Sequence, residues 1–187
     1  QMFIHLTTHS AYSLQEGLML PAELAQAAQA AGMSALGLTD HRLLSGSVEF
    51  TDACKRAGVQ PVQGFEIDLE TGKLSLLATS PEGWSNLCRL SSALALRSDP
   101  EVACSLDILA PYSKDLILLS GVQGDYTGHR LCQLAEIFPD RLYLAVREPT
   151  NALPLSDLAG KLHLPMVVAH PVYYLTPDQA GLQRTLT

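Results

Sequence analysis

No Cys-x-x-Cys pair occurs in the chain. Cys54, Cys88, Cys104 and Cys132 stand singly along 187 residues, so neither a zinc knuckle nor a dithiol redox site is indicated, and buried free thiols are the expectation. No apolar run reaches the roughly 18 to 20 residues that span a bilayer. No basic segment followed by an apolar one opens the chain, so nothing suggests secretion, and a cytoplasmic protein with no membrane partner is expected. Basic residues are also few: 12 Lys and Arg against 19 Asp and Glu leave a net charge of −7. Phosphate neutralisation needs clustered cations, so strong independent nucleic-acid binding is not expected, and any DNA would be held by another domain. Aromatic residues make up 6% of the chain and do not interleave with basic ones. Trp84 and Tyr173 therefore read as packing anchors rather than base-stacking platforms.

What is present is enough apolar material, 47% of residues against 17% charged, to bury a core without disulfides or a structural metal. A single domain over residues 1–187 is expected. Seven apolar runs bounded by turn residues read as buried strands: residues 2 to 7, 35 to 39, 61 to 67, 74 to 79, 115 to 120, 141 to 146 and 165 to 169. Between them lie helical patterns. "PAELAQAAQAAG" places Pro21 in a first turn, Leu24, Ala27, Ala28 and Ala31 on one face, and Gly32 at a left-handed terminus. "SVEFTDACKRAG" offers Ser47 as N-cap, Val48, Phe50 and Cys54 as inward positions, and Gly58 as terminator. "WSNLCRLSSALAL" and "SDLAGKLH" read as further crossover helices. Strands joined this way give a parallel sheet, and with no antiparallel hairpin evident the α/β class narrows to a barrel or a doubly wound sheet.

Function in such folds collects where strands end and helices begin. His9 follows the first expected strand, Asp40 and His41 the second, Glu66 lies in the third, and His170 follows the last. One such residue is ordinarily hydrogen-bonded or solvated. Donors at four strand ends together point to a present or former metal site.

Three segments, "MFIHLTTHSAYSLQEGL", "GLTDHRLLSG" and "VQGFEI", resemble the PHP (polymerase and histidinol phosphatase) domain at the N-terminus of bacterial C-family DNA polymerases of the polymerase III alpha type. "GWSNLCRLSSA", "DLILLSG", "IFPDRLYLAV" and "LPMVVAHPVYYLTPDQA" continue the likeness in the same order, over nearly the whole chain. The resemblance implies a distorted seven-stranded (β/α) barrel, similar to a TIM barrel. Its rim, in metal-bearing members, holds up to three metals that hydrolyse phosphoesters, in some polymerases as a 3′ to 5′ proofreading exonuclease. Metal-bound water would be the nucleophile there, and paired cations would stabilise the attacking and leaving oxygens.

Departures from the family pattern carry as much information as the matches. The opening His-x-His reads Thr7-Thr8-His9, which puts a hydroxyl where the first imidazole belongs. The acid of "SLLDG" becomes Glu16, one methylene longer. Asp40 and His41 are kept in "TDH", and Glu66 keeps the family's third position. The cysteine expected after "LSG" is Val122, and the closing Asp-x-His reads Pro171-Val172-Tyr173, with His170 beside it but out of register. The resemblance thus implies vestigial positions at His9, Glu16, Asp40, His41 and Glu66, and lost ones at Thr7, Val122, Pro171 and Tyr173. No cofactor is expected in this domain, or at most one Zn²⁺ or Mn²⁺ on His9, His41, Glu66 and His170, since a catalytic zinc needs only three protein ligands. Where the metal is gone, rim residues are expected to close a polar network among themselves, with Thr7 as a donor to Asp40 or Glu66.

The implied role is that of an N-terminal fragment of a replicative DNA polymerase. It would be structural and partner-binding, resting against palm and thumb and offering a surface to a proofreading exonuclease subunit, with DNA contacted through the parent chain. Nucleotidyl transfer, and the Mg²⁺ it uses, would belong to palm carboxylates outside these residues. Two other readings stay open: a working phosphoesterase with a reduced site, and a free-standing interaction module.

Overall fold

Helices form where apolar spacing and terminators require them in the computed structural model, which describes residues 3–70, 72–99, 102–120, 128–148 and 152–186. Pro21 opens α1 (Pro21–Ala30), where a missing N–H costs nothing, and Glu23 reaches back to accept from the Leu20 N–H at 2.8 Å. Its buried face is Pro21, Leu24, Ala25 and Ala28, so Ala25 takes the inward place expected of Ala27 and Ala31. Helix α2 (Ser47–Ala57) ends at Gly58 with φ of 68°, the left-handed terminator that glycine adopts without strain. Gly46 rather than Ser47 is its N-cap. Val48 is 71% exposed, against the inward expectation, while Phe50 and Cys54 are fully buried. At about 100° per residue, Phe50 and Cys54 lie on one stripe and Val48 lies on the far side.

Six strands follow the order β1-β2-β3-β4-β5-β6: β1 (Ala35–Leu38), β2 (Gln60–Leu69), β3 (Gly72–Ala78), β4 (Leu116–Ser120), β5 (Leu142–Val146) and β6 (Met166–Val168). The seventh expected strand, at the N-terminus, is a strand in position only. The Gly37 N–H donates to the His5 carbonyl at 2.8 Å, the Thr39 N–H to that of Thr8 at 2.8 Å, and Val172 exchanges bonds with Thr7 and His9 on the other side. Gly37 makes this approach possible, because a Cβ there would lie 2.2 Å from the Leu6 carbonyl oxygen.

The pairs β1–β2, β4–β5 and β5–β6 are parallel, as expected. β3 and β4 are antiparallel, with Leu74 opposite Ser120 and Ala78 opposite Leu116, which corrects the expectation of a sheet without antiparallel pairs. The cause lies in the excursion between them, through α3 (Pro81–Ala95), α4 (Leu106–Leu109) and a 3₁₀ turn at Ala110–Tyr112. It starts and finishes at one point. The Asp115 carbonyl accepts from the Thr79 N–H at 3.0 Å and from the Thr79 hydroxyl at 2.9 Å, and Ser80 donates to the Asp115 carboxylate at 2.8 Å. The chain therefore re-enters the sheet beside the end of β3 and must run back along it. Buried strands of either direction carry the same apolar run, so the sequence pattern does not distinguish them.

Two compact units pack separately: residues up to Phe65 with those from Pro171 onward, and Glu66–His170. In the first unit α1, β1 and α2 bury Met19, Leu24, Leu36, Leu38, Phe50 and Cys54 as one cluster. In the second, α5 (Gly128–Ile137) and α6 (Ala152–Leu162) cover the sheet, and Leu131, Leu144 and Ala159 pack together. Strand β2 runs through the division, its last four residues opening the second unit. Among the described residues no helix is long and apolar enough to cross a membrane. The four cysteines are free, but only Cys54 and Cys104 are buried; Cys88 is half-buried and Cys132 exposed, which corrects the expectation of four buried thiols.

Candidate metal centre and its polar network

In the first unit the segment after Thr8 turns back on itself, with the Ser13 N–H on the Ser10 carbonyl at 2.9 Å and the Gly17 N–H on that of Ser13 at 3.1 Å. This turn sets His9, Ser10, Ser13 and Glu16 around the end of β1, where Asp40 and His41 follow. Asp40, 1% exposed, accepts three hydrogen bonds: from the Ser10 N–H at 2.6 Å, the Ser10 hydroxyl at 2.7 Å and the Ser13 hydroxyl at 2.9 Å. Burial pushes its carboxyl above the ordinary range, the bonds from Ser10 and Ser13 oppose the rise by favouring the charged form, and nearby Glu16 adds to it. A buried acid with three donors is a structural anchor.

Ser13 is the hub of the cluster. Its single hydroxyl proton goes to Asp40, so its other two contacts must be received: from the His41 N–H at 3.0 Å and from His9 Nδ1 at 3.2 Å. His9 Nδ1 must then carry a proton, which in the neutral ring leaves the lone pair on Nε2. Glu16 lies 3.0 Å from His41 Nδ1 and 3.9 Å from His9 Nδ1, so the longer acid does reach both imidazoles. On its other face His9 stacks against the Tyr173 ring, centroids 4.5 Å apart and planes 24° from parallel. Tyr173 and Thr7 are two of the positions where a ligand is expected to have been lost; the first carries this ring and the second is buried.

In the second unit Glu66, fully buried on β2, faces two cations. Lys73 Nζ of β3 lies 3.2 Å from one carboxylate oxygen and Arg147 Nη2, just past β5, 3.7 Å from the other. His170 is exposed, and its Nδ1 donates to the Arg147 carbonyl at 2.9 Å. Val122 lies outside the described residues.

The geometry brings His9, Glu16, Asp40 and His41 together in one network, with His9 and Glu16 in contact. Within the second unit, Glu66 and His170 both meet Arg147. Ser10 and Ser13 were missed from the sequence, as were Lys73 and Arg147. The two serines had a signal, two hydroxyls within four residues of His9 ahead of a strand-end acid; the two cations had none. Among the described residues the first unit offers one imidazole and one carboxylate, His9 and Glu16, and the second one carboxylate, Glu66, a sparse donor set compatible with at most a single divalent ion. Among the described residues a two- or three-ion cluster does not fit: Asp40 is committed to serine hydroxyls and an amide, and Tyr173 lays its ring on His9.

Residues 5–148 match the PHP domain family. The chain is 34% identical to an error-prone DNA polymerase of Symbiobacterium thermophilum, over 99% of its own length and 20% of the relative's. It is 28% identical to the DNA polymerase III subunit alpha of Halalkalibacterium halodurans, over 92% of its length and 17% of that protein's. The chain therefore spans about a fifth of the curated relatives it matches. In fold it is similar to the crystal structure of a putative metal-dependent phosphoesterase from Bifidobacterium adolescentis, with TM-score 0.61 and 15% identity over 89% of this chain and 86% of that one. An amidohydrolase from Chromobacterium violaceum has TM-score 0.60 and 14% identity over 98% and 96% of the two chains. With the strand-end network, the matched residues and these relatives in view, the chain belongs to the PHP domain family, in its branch of polymerase III alpha-like proteins, and carries a degenerate metal site.

Proposed function

We propose that this chain is the N-terminal PHP portion of a bacterial replicative DNA polymerase, acting as a scaffold and partner surface, with its phosphoesterase chemistry lost. One observation carries the reading: the Asp40 carboxylate is taken up by Ser10 and Ser13, hydroxyls and an amide that stabilise it without any ion. With Tyr173 on the face of His9, this supports a rim rebuilt as a hydrogen-bonded structure. Polymerisation, and contacts to palm, thumb, DNA and an exonuclease subunit, then belong to the longer chain. Homology over about a fifth of polymerase-length relatives supports that assignment.

The competing reading, a phosphoesterase with one ion, rests on the lone pair that the Nδ1–H form of His9 leaves on Nε2. Release of nucleotides from a 3′-labelled single strand, with Mn²⁺ or Zn²⁺ supplied, separates the two. The scaffold predicts no rate above that of His9→Ala; turnover abolished by that substitution contradicts it.

A further inference from the structure

We infer that Lys73 and Arg147 supply, as part of the protein itself, the counter-charge that a metal ion would otherwise give Glu66. A buried carboxylate is destabilising unless an opposite charge or several hydrogen bonds compensate for lost hydration. Glu66 is fully buried, at the position where the family places a ligand. Lys73 Nζ and Arg147 Nη2 stand 3.2 and 3.7 Å from its two oxygens. One cation addresses each oxygen.

The placement is built by the sheet. Lys73 lies one residue into β3 (Gly72–Ala78), directly before the buried run Leu74–Leu77, so its stem is anchored by β3 packing while its head turns to Glu66. Arg147 follows Val146, the last residue of β5, and its side chain is 11% exposed. Its backbone is held as well, since its carbonyl receives His170 Nδ1 at 2.9 Å. His170, one of the residues expected to ligate, thereby orients the replacement cation.

Two positive charges already against Glu66 repel a divalent ion approaching the same oxygens. The substitution therefore acts twice: it stabilises the carboxylate without metal and it disfavours metal. This rests on the reading that the metal site is degenerate, but it is tested through stability, so it can fail or hold whatever the nuclease assay shows.

The experiment is a double-mutant cycle, Lys73→Met, Glu66→Gln and both together, read as Tm with and without EDTA, with Arg147→Met as a second arm. Lys73→Met is expected to lower Tm by roughly 5 °C or more, because it leaves a buried charge undercompensated. Glu66→Gln in the same chain should restore most of that loss. EDTA should leave the wild-type Tm unchanged, and Lys73→Arg should keep near-wild-type stability. If Lys73→Met yields no folded protein, folding of the double variant is the recovery that supports the pairing. Losses that simply add, a double variant that fails to fold, or a wild-type Tm that falls in EDTA would overturn the inference.

Discussion

Replacing Ser13 by alanine strikes the hub of the strand-end network. The side chain is 1% exposed and its oxygen serves three partners, donating to Asp40 at 2.9 Å and receiving from the His41 N–H at 3.0 Å and His9 Nδ1 at 3.2 Å. A hydrogen bond to a charged group contributes about 1.5 to 3 kcal/mol, and a buried donor left unpaired costs about 1 to 3 kcal/mol. Asp40 keeps both bonds from Ser10, so the lower part of the sum applies, about 3 kcal/mol. For a chain of this size that is a fall in Tm of roughly 6 to 12 °C.

The same substitution alters the pH dependence of stability. Asp40 titrates above its ordinary value of 3.8 in the folded protein, so between that value and the folded pKa the native state holds a proton that the unfolded chain has released. Stability from this group is therefore greatest at low pH and declines as pH rises through the folded pKa. Losing the Ser13 donor raises that pKa further and widens the window. Urea unfolding of wild type and Ser13→Ala from pH 4 to 7, with exposed Ser45→Ala as control, reads both effects. A loss below about 0.5 kcal/mol at pH 7, no larger than a typical surface change, would refute the view that these bonds anchor the site.

Three further outcomes follow from local geometry. Burial holds the Cys54 and Cys104 thiols up at about 11, so at pH 8 only about one in a thousand is thiolate; Ellman's reagent should label exposed Cys132 first and half-buried Cys88 more slowly, with Cys54 and Cys104 reacting only on unfolding, and prompt reaction of all four would contradict this. Because the unfolded thiols ionise near 9.0 while these two stay protonated, their contribution to stability should fall as pH rises from about 9 to 11, read by urea unfolding. Gly37→Ala should lower stability by roughly 3 kcal/mol, since its Cβ meets the Leu6 carbonyl oxygen at 2.2 Å, whereas Gly160→Ala, in α6 with open space around it, should raise stability by about 0.5 to 1 kcal/mol; Tm values of opposite shift check the pair.

Much of the fold could be read from local chemistry. Gly58 ends α2 because only a left-handed residue closes that turn, and six of seven apolar runs became strands. What could not be read depended on closure at a distance. The reversal of β4 is set by Asp115 receiving Thr79 and donating nothing to the apolar pattern. The site divides the same way. His9, Glu16, Asp40, His41 and Glu66 are legible as strand-end donors and through the family resemblance, but their partners are not. Thr7 is the donor expected for Asp40 or Glu66, and the sequence does not single out Ser10 and Ser13, which donate to Asp40. Nothing in the spacing of Lys73 and Arg147 signals that both meet Glu66, because that pairing exists only once β2, β3 and the end of β5 share a sheet.

Ion stoichiometry tests the central claim most directly: the donors left at the strand ends are too few for a hydrolytic cluster. Titration of chelator-treated protein with Zn²⁺ and with Mn²⁺, followed by calorimetry and elemental analysis after gel filtration, should find no more than one ion per chain. Two or three ions retained per chain would contradict the account.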